Sequence, residues 1–173
     1  KEKINFFAGV PDSLLKDLCF YISDNAKNNH IIAANEGNAL ALSIGHHLAT
    51  SKTPMIYLQN SGLGNLINPL LSLADNDVYG IPLLMAIGWR GKPGIKDEPQ
   101  HKKQGRVMLQ MLDSMEIPYK VIYKSDNVEK VKYKISAIIK NINKNNSPCA
   151  IVIEKGLFEP YSLQLSSRKT YKL

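Results

Sequence analysis

The chain has 173 residues and a mass of 19.3 kDa, enough for one domain with a sizeable core. Hydrophobic residues make up 44% and charged residues 21%, which excludes wholesale disorder; the best apolar run, residues 81–89, contains Pro82 and falls well short of the ~20 residues a membrane span needs. The net charge of +7 is uneven, because residues 1–88 carry five Lys/Arg and seven Asp/Glu whereas residues 89–173 carry seventeen and eight.

In chain order, residues 4–10 read as a strand, and Asp12-Ser13 reads as the cap of a helix reaching about residue 25. Residues 30–34 form a second strand, followed by a small-residue helix over 37–50. A third strand over 54–59 precedes a helix over about 64–74. The continuous apolar stretch 82–88 reads as a strand covered on both faces. A polar loop with Gly91, Pro93, Gly94 and Pro99 then occupies 89–103, before a helix over 104–115 and a strand over 119–123. In residues 128–144, Val128, Val131, Ile135, Ile138 and Ile142 recur every three or four positions, the inward stripe of a helix. Lys130, Lys132, Lys134 and Lys140 fall mostly off that stripe and read as a solvated face. With no RNP-like aromatic motif or zinc-finger spacing, no nucleic-acid partner is expected. A last strand covers 149–154. Residues 1–155 therefore read as one α/β domain, a mostly parallel sheet with helices on both faces. Residues 156–173 read as a polar linker or tail. Lys1-Glu2-Lys3 opens no signal-peptide pattern. Cys19 and Cys149 form no CxxC pair, so no disulfide framework is indicated and a cytoplasmic location is the expectation.

In such a sheet ligands sit at the carboxyl ends of the strands, which directs attention to four loops. Gly9-Val10-Pro11-Asp12-Ser13 suits a turn with a helix cap or a polar site. In Asn35-Glu36-Gly37-Asn38 the glutamate suits the start of a helix dipole. The following Ala39, Ala41 and Ser43 also leave room for something to approach, and a partly desolvated carboxylate there serves as an acid. Gln59-Asn60-Ser61-Gly62-Leu63-Gly64-Asn65 offers backbone N–H groups to an anion, but it is neither the dinucleotide fingerprint nor a P-loop. Trp89-Arg90-Gly91-Lys92-Pro93-Gly94, then Lys96-Asp97-Glu98-Pro99-Gln100-His101, suits a mobile anion-binding lid or an exposed charged loop. His30, His46 and His47 lack metal-site spacing, and no metal ligand is assigned.

Taken together, these four loops resemble those of the thiamine-diphosphate decarboxylases that act on phosphonopyruvate and sulfopyruvate, over residues 4–154. The resemblance implies the pyrimidine-binding domain of such an enzyme, with thiamine diphosphate and Mg²⁺ as cofactors. The metal would be held by a diphosphate-binding domain whose Gly-Asp-Gly…Asn motif this sequence does not contain. It implies that Glu36 hydrogen-bonds the cofactor's pyrimidine N1′ and promotes the imino tautomer. Gln59 and Asn60, with Gly62 and Gly64, would lie by the cofactor, and Asp12 and Ser13 would line the substrate side. Arg90, with Lys92 and His101 after it, would meet a second anionic group on the 2-oxo acid, since an arginine fork suits a tetrahedral oxyanion. The expected reaction converts 3-phosphonopyruvate to phosphonoacetaldehyde and carbon dioxide. The basic loop leans toward the phosphonate dianion over the sulfonate monoanion. The alternatives are a sulfopyruvate decarboxylase alpha subunit, forming sulfoacetaldehyde, and a non-catalytic binding module. The resemblance further implies a homo-oligomer, a diphosphate-binding domain from the same or a companion chain, and an isolated domain that is inactive. The His-His pair that pyruvate decarboxylases use for proton transfer is not transferred to His46-His47, which fall inside a predicted helix.

Overall fold

Side chains of an extended strand alternate between two faces, and here both faces are buried. Along β4 (Leu83–Gly88), Leu83, Met85 and Ile87 join one apolar cluster and Leu84 and Ala86 the other. β3 (Met55–Gln59) repeats this, with Ile56 and Leu58 on the first side and Met55 and Tyr57 on the second. So does β6 (Pro148–Ile153), through Ala150 and Val152 against Cys149 and Ile151. In this computed structural model, which describes residues 4–164, these three strands form the centre of a six-stranded sheet. β1 (Phe7–Gly9), β2 (His30–Ile32) and β5 (Tyr119–Ile122) complete it in the order β2-β1-β3-β4-β6-β5. Every pairing is parallel, so the mostly parallel sheet read from the sequence is wholly so.

Helices cover both faces, as expected. α1 (Lys16–Ala26) and α5 (Val128–Asn145) pack Cys19, Ile22, Ile138 and Ile142 onto the Tyr57 side. α2 (Glu36–Thr50) and α4 (Pro99–Ser114) pack Leu40, Ile44, Met108 and Leu112 onto the Met85 side, and the short α3 (Ile67–Pro69) between them in the chain buries none of its own residues. Among the described residues no helix is long and apolar enough to cross a membrane.

Several local expectations are corrected. Asp12 and Ser13 do not cap α1: the helix starts at Lys16 behind Leu15, without a side-chain cap, and it is the Asp12 carbonyl that accepts the Leu15 N–H at 3.1 Å. The expected helix over 64–74 begins instead as a tight 3₁₀ stretch, Asn60–Leu66, passes through α3 and ends in a π turn, Leu70–Ala74. Pro69 lies within it and has no N–H to donate, which favours this change of winding. α4 starts at Pro99 rather than Gln104, because proline at the first helical position has φ preset and lacks only an N–H that would be unpaired anyway. On α5, Val128 of the inward stripe is 66% exposed. Part of the basic face is engaged, since Lys130 and Lys134 both pair with Asp126. Residues 156–164 of the expected linker lie along the domain: Leu157 and Phe158 pack on the α1–α5 side, and Tyr161 and Gln164 donate their N–H groups to Asp17 and Asp24. The remaining tail residues, 165–173, lie outside the described residues.

The strand order positions the site. From β1 the chain crosses to β2 through α1 on one face, then returns past β1 to β3 through α2 on the other. Such a reversal leaves a crevice at the carboxyl ends of β1 and β3, and the loops singled out above open onto that edge.

Candidate functional site

Asn35, in an extended conformation, caps α2 by accepting the Asn38 N–H at 2.9 Å. Glu36 is thereby held in the first turn, where a carboxylate is favoured by the helix dipole. One of its oxygens, Oε2, accepts a hydrogen bond of 2.7 Å from Asn65 Nδ2. The other, Oε1, faces Gly62 so closely that a Cβ on that glycine would lie 2.2 Å away. Gly62 is therefore required by contact and not by backbone conformation. Gly64, read with it as a pair, faces open space; the 3₁₀ winding replaces the expected loop of N–H groups with a helical turn.

Asp12, Ser13 and Arg90 converge at the ends of β1 and β4. The Asp12 side chain is 1% exposed, 3.9 Å from Arg90 Nη1, and its Oδ2 has no hydrogen-bond partner among the described residues. Burial pushes its carboxyl above the usual range, against the opposing pull of the Leu14 N–H and Arg90. Gly88 makes the room, since a Cβ there would lie 2.6 Å from Asp12 Oδ2. Arg90 donates through Nη1 to Ser13 Oγ at 2.8 Å, and through Nε and Nη2 to the two oxygens of Asp97 at 2.9 and 2.6 Å. Asp97 also accepts the N–H groups of Gly91 and Glu98. The guanidinium hydrogen bonds hold its carboxyl far below the ordinary carboxylate range.

Between these corners, Gln59 Nε2 donates to Ser61 Oγ at 2.5 Å and stands 3.5 Å from His101 Nδ1. Buried Asn60 uses both ends of its amide on the Arg90 backbone, donating to the carbonyl at 2.8 Å and accepting the N–H at 3.1 Å. It braces the β4 loop and so ties the β3 end to the β4 end. Lys92 turns aside to Glu154 at 2.5 Å and lies over the rings of Trp89 and Tyr123. The base of the loop is closed by backbone, for a Cβ on Gly105 would lie 1.9 Å from the Gly91 carbonyl oxygen. Among the described residues no three metal-ligating side chains gather into a cluster.

The sequence reading missed two partners. Asn65 stood inside a quoted motif without a role, and nothing local to Glu36 points to a residue 29 positions on. Asp97, one of several nearby carboxylates, is distinguished only by reaching both Arg90 and the Gly91 N–H. The histidines without metal spacing are engaged elsewhere: His30 with Tyr57 and Ser23, and His46 in a stack on Phe6.

At this edge the Glu36 carboxylate is fixed at one oxygen by Asn65, with its other oxygen against Gly62. The model for the family described as "Thiamine pyrophosphate enzyme, N-terminal TPP binding domain" matches residues 1–117. A phosphonopyruvate decarboxylase of Streptomyces viridochromogenes is 32% identical over 150 residues, 87% of this chain and 36% of that protein. The sulfopyruvate decarboxylase subunit alpha of Methanocaldococcus jannaschii is 33% identical over 149 residues, 79% of this chain and 85% of that subunit. This chain thus spans about a third of the first relative and most of the second. Among solved structures, a benzoylformate decarboxylase from Polynucleobacter necessarius has the same fold, with a TM-score of 0.64 at 14% identity, covering 95% of this chain and 30% of that one.

Proposed function

The chain belongs to the thiamine pyrophosphate enzymes, and from that premise we propose that it supplies the pyrimidine-side half-site of a decarboxylase acting on a 2-oxo acid with a second anionic group, 3-phosphonopyruvate first. The observation that carries this reading is Glu36, fixed by Asn65 and set against Gly62 at the start of α2. Thiamine diphosphate, when bound, supplies the nucleophilic carbon and electron sink that let a 2-oxo acid lose carbon dioxide. The protein's part is positioning and proton control. The Glu36 carboxylate would hold a proton toward the pyrimidine N1′; Asn65 fixes one of its oxygens, and Gly62, lacking a Cβ, leaves room for the carboxylate itself. Asp12 and Ser13 line the substrate side, and Gln59 with His101 lies between the two.

In this reading the diphosphate and its Mg²⁺ are held by a diphosphate-binding domain of the same or a companion chain, so the isolated chain is inactive and works only as part of an oligomer in the cytoplasm. Exposed apolar side chains on the helical elements that follow Glu36 support such docking: Leu42 and Leu48 on α2 are 41% and 63% exposed, and Ile67 and Leu71 on the following helical run are exposed as well.

A second reading, the alpha subunit of a sulfopyruvate decarboxylase, is favoured by the 85% coverage of the Methanocaldococcus subunit. The test is a side-by-side assay of phosphonopyruvate and sulfopyruvate, using the complete enzyme with its diphosphate-binding domain, thiamine diphosphate and Mg²⁺. Preference for phosphonopyruvate is expected. Preference for sulfopyruvate moves the substrate, and turnover of neither removes the decarboxylase reading.

A further inference from the structure

Beside Arg90 lie two clefts, the larger of them lined by four cations and two carboxylates. On one side a cleft of about 320 Å³ lies between Ser13, Asp17, Lys155 and Phe158; on the other about 540 Å³ lies between Lys96, Asp97, Glu98, Lys102 and Lys155. Arg90 and Lys155 line both. Each is within the range of small-molecule sites.

The obvious cations of this loop are already engaged. Arg90 uses three of its five N–H donors on Asp97 and Ser13, and its charge is matched by Asp97. Lys92 is paired with Glu154. By contrast Lys96, Lys102 and Lys155 form no ion pair among the described residues. With Asp97 committed to Arg90, these three ammonium groups face the single carboxylate of Glu98 in the larger cleft, and Lys155 also borders Asp17 in the smaller one. A walled cleft with such an excess concentrates anions, dianions above monoanions.

We propose that Lys96, Lys102 and Lys155 form the subsite for the second anionic group of the substrate, with the Arg90–Asp97 pair as its rigid wall, and that this subsite selects a phosphonate dianion over a sulfonate. The inference rests on the decarboxylase reading and deepens it. It moves the anion from Arg90 and Lys92 to lysines that have no other partner, while the two N–H groups left on Arg90 still orient the oxyanion.

The test uses the complete enzyme without cofactor and the unreactive probes phosphonoacetate and sulfoacetate, measured by calorimetry. Phosphonoacetate is expected to bind more tightly. In the combined variant Lys96→Gln, Lys102→Gln, Lys155→Gln its affinity should fall by about tenfold or more, whereas the three Lys→Arg changes should hold it within about threefold of the parent. In turnover the Gln variant should raise KM for phosphonopyruvate far more than it lowers kcat, with the affinity for thiamine diphosphate retained. Unchanged phosphonoacetate binding in the Gln variant, with normal turnover in the parent, overturns the subsite alone. Lysine-dependent binding in an enzyme that turns over neither oxo acid overturns the decarboxylase reading and leaves the anion subsite standing.

Discussion

Glu36 accepts one hydrogen bond from the described residues, from Asn65, whereas Asp97 accepts four, two from Arg90 and two from the N–H groups of Gly91 and Glu98. Both carboxylates lie on the same edge of the sheet, Glu36 in the first turn of α2 and Asp97 two residues ahead of α4. Around Glu36 the chain packs one glycine and a single amide, so only one of its oxygens is hydrogen-bonded by the described residues. Around Asp97 it packs charges that satisfy each other and hold a loop in shape. A charged residue in a functional loop is available for chemistry only when its neighbours leave it so, and the two corners divide on that point.

The sharpest way to break the comparison is Glu36→Gln in the complete enzyme. Loss of the proton-holding carboxylate should lower kcat by about 10²–10⁴, the usual range for a positioned acid–base group, with the fold intact by circular dichroism. Turnover within a few-fold of the parent would place Glu36 with Asp97 as architecture.

Next in size is Gly62→Ala. Its Cβ would meet Glu36 Oε1 at 2.2 Å, so the carboxylate must move aside. A displacement of this order should lower kcat by about tenfold to a hundredfold, with a much smaller change in melting temperature. Equal losses in both would mean that the glycine serves packing alone.

Asp97→Ala tests the other corner and should act on stability. Arg90 is left largely buried without its partner, at a cost of about 3 kcal/mol in urea unfolding. The pH dependence has a definite sign. Asp97 titrates below its ordinary range in the folded state, so its contribution is fully present above the unfolded carboxylate value near ~4 and is lost only as pH falls from there toward the folded value. The difference between parent and variant should therefore be flat from about pH 7 to pH 5 and shrink in stronger acid.

The smallest effect is expected from Asp12→Asn, and with the opposite sign. Burial raises the Asp12 carboxyl, so the folded state holds that proton more tightly than the unfolded chain, and stability falls as pH rises through the interval between the two values. The isosteric amide should stabilise the protein by roughly 0.5 kcal/mol at neutral pH and by nothing near pH 3. An equal gain at both pH values would rule out titration of Asp12 as the cause.

Much of the fold is legible in the chain. The unbroken apolar stretch around Leu83–Gly88 announces a strand buried on both faces, and Ile138 and Ile142 recur at the spacing that buries one face of α5. Less legible are the helix caps: the sequence points to Asp12-Ser13, whereas Asn35 and Asn127 are the side chains that accept an N–H of the first turn. Another such case is the stretch from Asn60 to Ala74, whose apolar spacing is compatible with a regular helix while the chain there winds as 3₁₀ and π turns around Pro69. The packing of Leu157 and Phe158 on the α1–α5 side is hidden as well, because a polar, aperiodic segment carries no signal of the surface it meets.

The candidate site divides in the same way. Its loops can be placed from the sequence alone, because apolar runs and helix patterns fix where each strand ends, and α/β sheets gather their functional loops there. The charge excess of the second half of the chain is equally a property of composition. Which charge is free is not. That Arg90 is neutralised by Asp97 depends on how one loop folds back on itself. Asn60 bracing the Arg90 backbone, Asn65 holding Glu36 and Ser13 meeting Arg90 depend instead on the order β2-β1-β3-β4-β6-β5, which brings the strand ends together. Periodicity reports burial because every residue of an element shares the same geometry. Partnership is decided over a few ångströms between elements, and only the tertiary structure sets those distances.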